Sequence, residues 1–257
     1  MQLSLPLIYL ISVAVVLLSI GIGFSLGSYT RRRRNGKKKL HLGSIVGAML
    51  ALLAFIMAFA FSKASSRFDA RKQLVLDEAN AIGTTILRTD FLAEPARTES
   101  RKLLKEYVNI RVEAALDREK LPQVLVDSEI IHDRLWSQVT HSSNQTKDSV
   151  LLALYIESLN EVIDLHSKRA TVGFQYRIPR SVWFLLYFIT IQAMLAVGYE
   201  FGLNGAGSFL GSLLLALMFS AVILIIADLE RSQHSSLIKL NQMPMIELQK
   251  KLNSAVE

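Results

Sequence analysis

Four stretches of this sequence, residues 2–30, 40–62, 181–199 and 201–227, contain no Asp, Glu, Lys or Arg. A bilayer core of ~30 Å is crossed by about 20 apolar residues in a helix, and each stretch is near or above that length. Tyr9 and Tyr29 flank the first, and Trp183 and Tyr199 the third, as interfacial aromatics do. The first stretch lacks a basic leading region and a small-x-small cleavage site, so it reads as a span and not as a cleaved leader. The expected fold is therefore all-α, an integral membrane protein with four transmembrane helices in two hairpins. The second hairpin is expected to turn through Gly202, Asn204, Gly205 and Gly207.

Between the hairpins lies a polar insert, residues 64–179, with 16 basic and 17 acidic residues. That balance suits a water-facing helical domain. Its apolar residues recur at three and four, the period of amphipathic helices with one buried face. Phe68, Val75, Ala79, Ile82 and Ile86 form one stripe, and Leu103, Tyr107, Ile110 and Ala114 a second. Leu121, Val124, Ile131 and Leu135 form a third, and Leu151, Tyr155, Val162 and Leu165 a fourth. Pro95 and Pro122 stand where first-turn prolines start helices, and Asp148 can cap the fourth. Neither Gly nor Pro interrupts residues 50–82, which predicts that the second span runs on into the insert as one helix. The expected division is residues 1–63 for the first hairpin, 64–179 for the extramembrane domain, 180–229 for the second hairpin and 230–257 for an amphipathic tail.

Net charge is +7, but the run at residues 31–39 alone holds four Arg and three Lys with no acid. Outside it, 22 basic residues face 22 acidic ones. The basic excess is one short loop beside apolar spans, which fits a topology determinant against anionic lipid and gives no nucleic-acid surface. By the positive-inside rule this loop is cytoplasmic, which puts the insert outside. Lys63, Arg67, Arg71, Lys72, Lys168, Arg169, Arg177 and Arg180 crowd the membrane ends of the insert and argue for the opposite orientation.

Small residues gather toward the membrane face opposite the insert. Gly23 and Gly27, Gly43 and Gly47, Gly198 and Gly202, and Gly207 and Gly211 are each spaced four apart. That spacing lets helix backbones approach closely and makes these eight the helix-packing candidates.

With no cysteine, thiolate zinc sites, disulfides and a cysteine nucleophile are excluded. No nucleophile elbow, phosphate loop or HExxH is present, and the chain is read as no enzyme, with no cofactor. Glu157, Asn160, Glu161 and Asp164 share one helix face and offer oxygen ligands for a divalent cation. The preferred alternative is a solvated acidic face in which Asp164 pairs with Lys168, worth roughly 0.2–0.5 kcal/mol. No metal is therefore assigned. Asp77, Glu78 and Asn80 form a second polar group, read as an interhelical hydrogen-bond network. The spans carry no ionisable acid or base inside the membrane core, which weighs against a proton pump but not against a passive pore.

The segments FSKASSRFDARKQLVLDEANAIGTTILR, ESLNEVIDLHSKR and DLERSQHSSLIKLNQMPMIELQ, in this order with four spans, resemble the bacterial bestrophin-like membrane family over essentially the whole chain. Residues 61–71, FSKASSRFDAR, are similar to the bestrophin phrase FRxNxSYDRWWEAR through Arg67, Phe68, Asp69 and Arg71, without its paired tryptophans. Bestrophins are pentameric anion channels lined by their second membrane helix, with an intracellular helical domain. The resemblance implies a homo-oligomeric, pentameric channel for small inorganic anions such as chloride, in the lipid bilayer of a bacterial inner membrane, with the insert inside. On that reading Phe55, Met57, Phe59 and Phe61 are pore-lining candidates, and Lys63, Arg67, Arg71 and Arg180 ring the pore mouth and concentrate anions. The alternative is a non-conducting membrane scaffold whose helical insert binds a partner protein.

Overall fold

The computed structural model describes residues 4–33, 42–143, 149–174, 178–205, 207–231, 237–238 and 240–254. Among them every regular element is helical: α1 (Leu5–Arg33), α2 (Gly43–Arg88), α3 (Ala96–Leu116), α4 (Leu121–Ser143), α5 (Ser149–Phe174), α6 (Arg180–Asn204), α7 (Phe209–Glu230) and α8 (Met243–Ser254), with short 3-10 turns at Thr89–Phe91 and Arg118–Lys120. Four of them, α1, α2, α6 and α7, are long and apolar enough to cross a membrane. A third or less of the apolar window in each is buried within the chain. In water such faces would aggregate, so lipid or further copies must cover the rest.

Two compact units make up the chain. The first is drawn from Met1–Phe68, Arg177–Arg231 and Ser235–Ile238. In it α1 lies against α6 and α7, and Val16, Ile20, Leu53, Met57, Leu186, Met194 and Ile223 share a core. The turn after α6 differs from the expected one. Gly202 and Asn204 are still helical, because Gly202 sits in the α1–α6 contact. Gly205 ends the helix in the left-handed region at φ 69°, with its N–H on the Phe201 carbonyl. Ser208 then caps α7, its hydroxyl accepting from the Gly211 N–H.

The second unit, built mainly on Asp69–Tyr176, holds the end of α2 with α3, α4, α5 and α8. Its core joins Ala79 and Ile82 of α2, Leu103, Leu104 and Tyr107 of α3, Ile131 and Leu135 of α4, and Tyr155, Leu159 and Val162 of α5. The three-and-four spacing of these residues is what places them on one face each. Met245 of α8 joins the same core, and Gln249 donates to Asn109 at 2.9 Å. Pro95 stands just before α3 and Pro122 in the first turn of α4. Asp148 lies outside the described residues.

Candidate functional site

The helix α2 has two contrasting sides across its apolar half. Leu53, Met57, Ala60 and Ala64, spaced four, three and four apart, are all buried. Phe55 is 68% exposed and Phe59 52%, and Phe61 is exposed as well. Lys63 continues the Phe55–Phe59 row one turn on, with its ammonium 5.8 Å from the Phe59 ring centre. Three of the four aromatic and methionine candidates thus face away from the chain's own bundle. Met57, 4% exposed, turns into the core beside Leu53 and Ile223, because its register is that of the buried row.

The basic candidates also separate. Lys63 and Arg180 are exposed. Arg67 donates to Glu230 at 2.8 Å, so its charge is matched within the chain. Arg71 is buried. The other oxygen of Glu230 accepts the Ile178 N–H at 2.8 Å. Two residues earlier, the buried Asp228 accepts the N–H groups of Leu237 and Ile238 at 3.0 and 2.9 Å. The end of α7 therefore binds backbone through both of its carboxylates. Arg177 and the run 34–41 lie outside the described residues.

Four of the eight glycines bring two backbones together. A Cβ at Gly23 or Gly27 of α1 would overlap the carbonyl oxygen of Leu195 or Tyr199 on α6. One at Gly198 or Gly202 of α6 would overlap that of Ile20 or Phe24 on α1. Among the described residues no other part of the chain lies within 4 Å of a Cβ at Gly47. Gly43 faces the Glu200 carboxylate, Gly207 the Phe24 ring, and Gly211 only its own cap, Ser208.

The second unit encloses a charged cluster. Glu78 of α2 is fully buried. Its Oε1 accepts the Tyr107 hydroxyl at 2.5 Å and lies 3.3 Å from Arg111 Nε. Its Oε2 accepts from Arg169 of α5 and from Arg111 at 3.4 Å. Burial pushes the Glu78 carboxyl up, but the Arg169 and Arg111 charges and the Tyr107 hydrogen bond outweigh it and hold the group at about 2. Burial and the Glu78 charge push the Tyr107 hydroxyl well up. His132 and His166 complete the cluster, with ring centres 5.0 Å apart and edge-on. Burial lowers each to about 4. The sequence singles out Glu78 but reads Arg169 only as one of the charges at the membrane ends of the insert, whereas the structure sets it against Glu78 inside the second unit. The available signal was register, since Arg111, His132, His166 and Arg169 each fall one turn from a core residue of their helix.

The acidic face on α5 stays at the surface. Glu161 and Asp164 are exposed, and Glu157 lies 3.6 Å from Arg88. Among the described residues no group of three or more His, Asp or Glu side chains could hold a metal ion.

This architecture has solved counterparts. A bacterial bestrophin homologue from Klebsiella pneumoniae, crystallised as a tryptophan-to-alanine variant, matches with a TM-score of 0.70 at 15% identity, covering 99% of this chain and 98% of that one. An aspartate-to-alanine variant of such a homologue from the same organism gives 0.67 at 12%, covering 95% and 98%. A proline-to-alanine variant described only as a membrane protein gives 0.68 at 15%, covering 96% and 97%. At these identities the likeness is one of fold. Among curated proteins none matches. In sequence, the bestrophin-like domain matches residues 10–232, which takes in most of α1, all of α2, α6 and α7, and the helical segment between them. Over that span the protein is no enzyme, and it belongs to the bestrophin-like family.

Proposed function

We propose that the protein is a homo-oligomeric, anion-conducting channel of a bacterial inner membrane, with the open face of α2 lining the pore. The observation that supports this most is the row Phe55, Phe59, Lys63, apolar and then basic, left uncovered by the chain itself. Repeated around a symmetric assembly, such a row makes a narrow apolar throat that opens to ions only when it widens, with a positive mouth. Lys63 and Arg180 carry that mouth. Arg67 contributes less, because Glu230 matches its charge. Five subunits follow from the family analogy.

Residues 1–63 and 180–229 form the two transmembrane hairpins on this reading. Residues 64–179 form the extramembrane domain, and 230–257 a tail. The domain faces the cytoplasm, supported by the basic residues at its membrane ends and by the family. Gly36→Cys and Glu129→Cys decide the side, since the chain has no native thiol. In intact cells an impermeant maleimide should label position 36 and spare position 129, and the reverse pattern refutes this orientation.

The deciding experiment for conduction is single-channel recording of the purified protein in a defined bilayer under a potassium chloride gradient. Unitary currents reversing near the chloride potential are expected. A silent, correctly assembled oligomer would instead support the non-conducting scaffold.

A further inference from the structure

The cluster around Glu78 has more in it than an ion pair needs. Four helices supply it: Glu78 from α2, Tyr107 and Arg111 from α3, His132 from α4, and His166 and Arg169 from α5. Asp133, next to His132 on α4, is the one further carboxylate acting on that ring. Both oxygens of Glu78 are already occupied, by Tyr107, Arg111 and Arg169. Tyr107 has a single hydroxyl proton, and it goes to Glu78. The 3.2 Å contact between Tyr107 and His166 Nδ1 is then satisfied with His166 donating, which fixes that imidazole as the neutral Nδ1–H form.

His132 is different. It is 6% exposed, its ring centre lies 4.9 Å from that of Tyr107 with the planes tilted by 51°, and its Nε2 has no hydrogen-bond partner among the described residues. A buried nitrogen left unpaired is costly, and it has one obvious ligand, a proton. In the closed cluster that proton would create a third cation beside two guanidiniums, with the only nearby buried carboxylate saturated. The charge can be accommodated only if the ring leaves the cluster for water.

We infer that His132 is the proton acceptor of an acid-sensing site in the core of the helical unit, and that proton uptake there parts α4 from α3 and α5. The inference is independent of conduction.

The direction follows from linkage. In the closed unit burial holds His132 at about 4, against an ordinary value of 6.5 once it is exposed. The open form therefore binds protons more tightly, so the closed form loses stability as pH falls from about 6.5 toward 4. Between pH 7.5 and 5, His132 alone should raise the opening equilibrium about 30-fold.

The test is hydrogen–deuterium exchange of the full-length protein in lipid nanodiscs at pH 7.5 and 5, corrected for intrinsic exchange and read over α4. The wild type should open at least on the order of 30-fold more often at pH 5, His132 supplying that factor and His166 adding to it wherever the opening exposes its ring. His132→Gln should lose the roughly 30-fold share carried by His132, with any remaining response reporting His166, and Asp133→Asn should keep the full response. A wild type whose opening does not change with pH overturns the inference, whether or not His132→Gln folds. So does a His132→Gln protein that retains the full wild-type response. Should that variant fail to assemble, His132→Asn and direct titration of the wild-type imidazoles by histidine-selective NMR decide the point. A His132 that protonates at its ordinary value with α4 still protected refutes it.

Discussion

Arg67 of α2 and Glu230, the last residue of α7, meet at 2.8 Å, while the second oxygen of Glu230 holds the Ile178 N–H at the same distance. One carboxylate thus fastens three chain segments at one end of the first unit. Each bond is charge-assisted, the kind worth about 1.5–3 kcal/mol when shielded. Arg67 is 29% exposed, so solvent screening takes its share toward the lower limit. Glu230→Ala should lower stability by about 2 kcal/mol, read as a fall in thermal midpoint in mild detergent. Arg67→Gln alone should cost less. In the double variant the two losses should not add, and fully additive losses would show that the pair is not coupled.

The contact between α1 and α6 gives a sharper contrast. At Gly198 even a methyl group meets the Ile20 backbone, which cannot move aside as a side chain can. Gly198→Ala should therefore cost about 1–3 kcal/mol. Gly47→Ala, with open space around it, should be neutral or gain up to about 1 kcal/mol from helix propensity. If Gly47 meets a neighbouring subunit, Gly47→Leu should reduce the oligomer seen by native mass spectrometry and leave the chain's own melting unchanged. Equal melting losses for Gly198→Ala and Gly47→Ala would rule out this assignment of contacts.

How far these features were legible in the sequence depends on their physical origin. The four membrane-length helices were legible because charge is excluded from a bilayer core over a fixed length, which leaves a direct mark on composition. The continuity of α2 was legible over residues 50–82, where neither Gly nor Pro interrupts it, and the helix runs on through Gly83 to Arg88. The pairing of Gly23 and Gly27 with Gly198 and Gly202, and not with Gly43 and Gly47, was not. Spacing marks a helix face as smooth without naming the face it meets. Met57 shows the same limit. Its i, i+4 relation to Phe61 holds along the helix, but the core takes the Leu53–Met57–Ala60–Ala64 row and leaves Phe61 out. Glu78 found three partners on two other helices, and partners that distant in sequence are set by tertiary packing.

Truncations on α2 should separate its two sides. Met57→Ala removes a core side chain and should cost about 2–5 kcal/mol. Phe55→Ala and Phe59→Ala remove exposed rings, so they should leave the melting of the chain nearly unchanged. If those rings form the throat of a channel, the same two variants should raise unitary conductance or leak while the oligomer stays assembled. Loss of stability at Phe55 or Phe59 comparable to that at Met57, with ion flux unaltered, would remove α2 from the pore.

The acid limb of stability tests the Glu78 cluster. With its partners, Glu78 is held at about 2 against an ordinary value of 4.5, so its folded form gives up the proton more readily than its unfolded form. The resulting stability is present above about pH 4.5 and is lost as pH falls toward 2. Converted at 1.36 kcal/mol per unit, it is of order 3 kcal/mol. The histidines act in the same direction in a higher window, from about 6.5 to 4, so stability should fall in two successive stages on acidification. Glu78→Gln strands Arg111 and Arg169 beside a neutral amide, at a cost of about 3–5 kcal/mol at neutral pH. It should also erase the lower stage and leave the upper one. Denaturation of the full-length protein in detergent, followed by helical circular dichroism at a series of pH values, reads both effects. A Glu78→Gln protein as stable as wild type at pH 7, with the lower stage intact, would show that the two guanidiniums do not depend on this carboxylate.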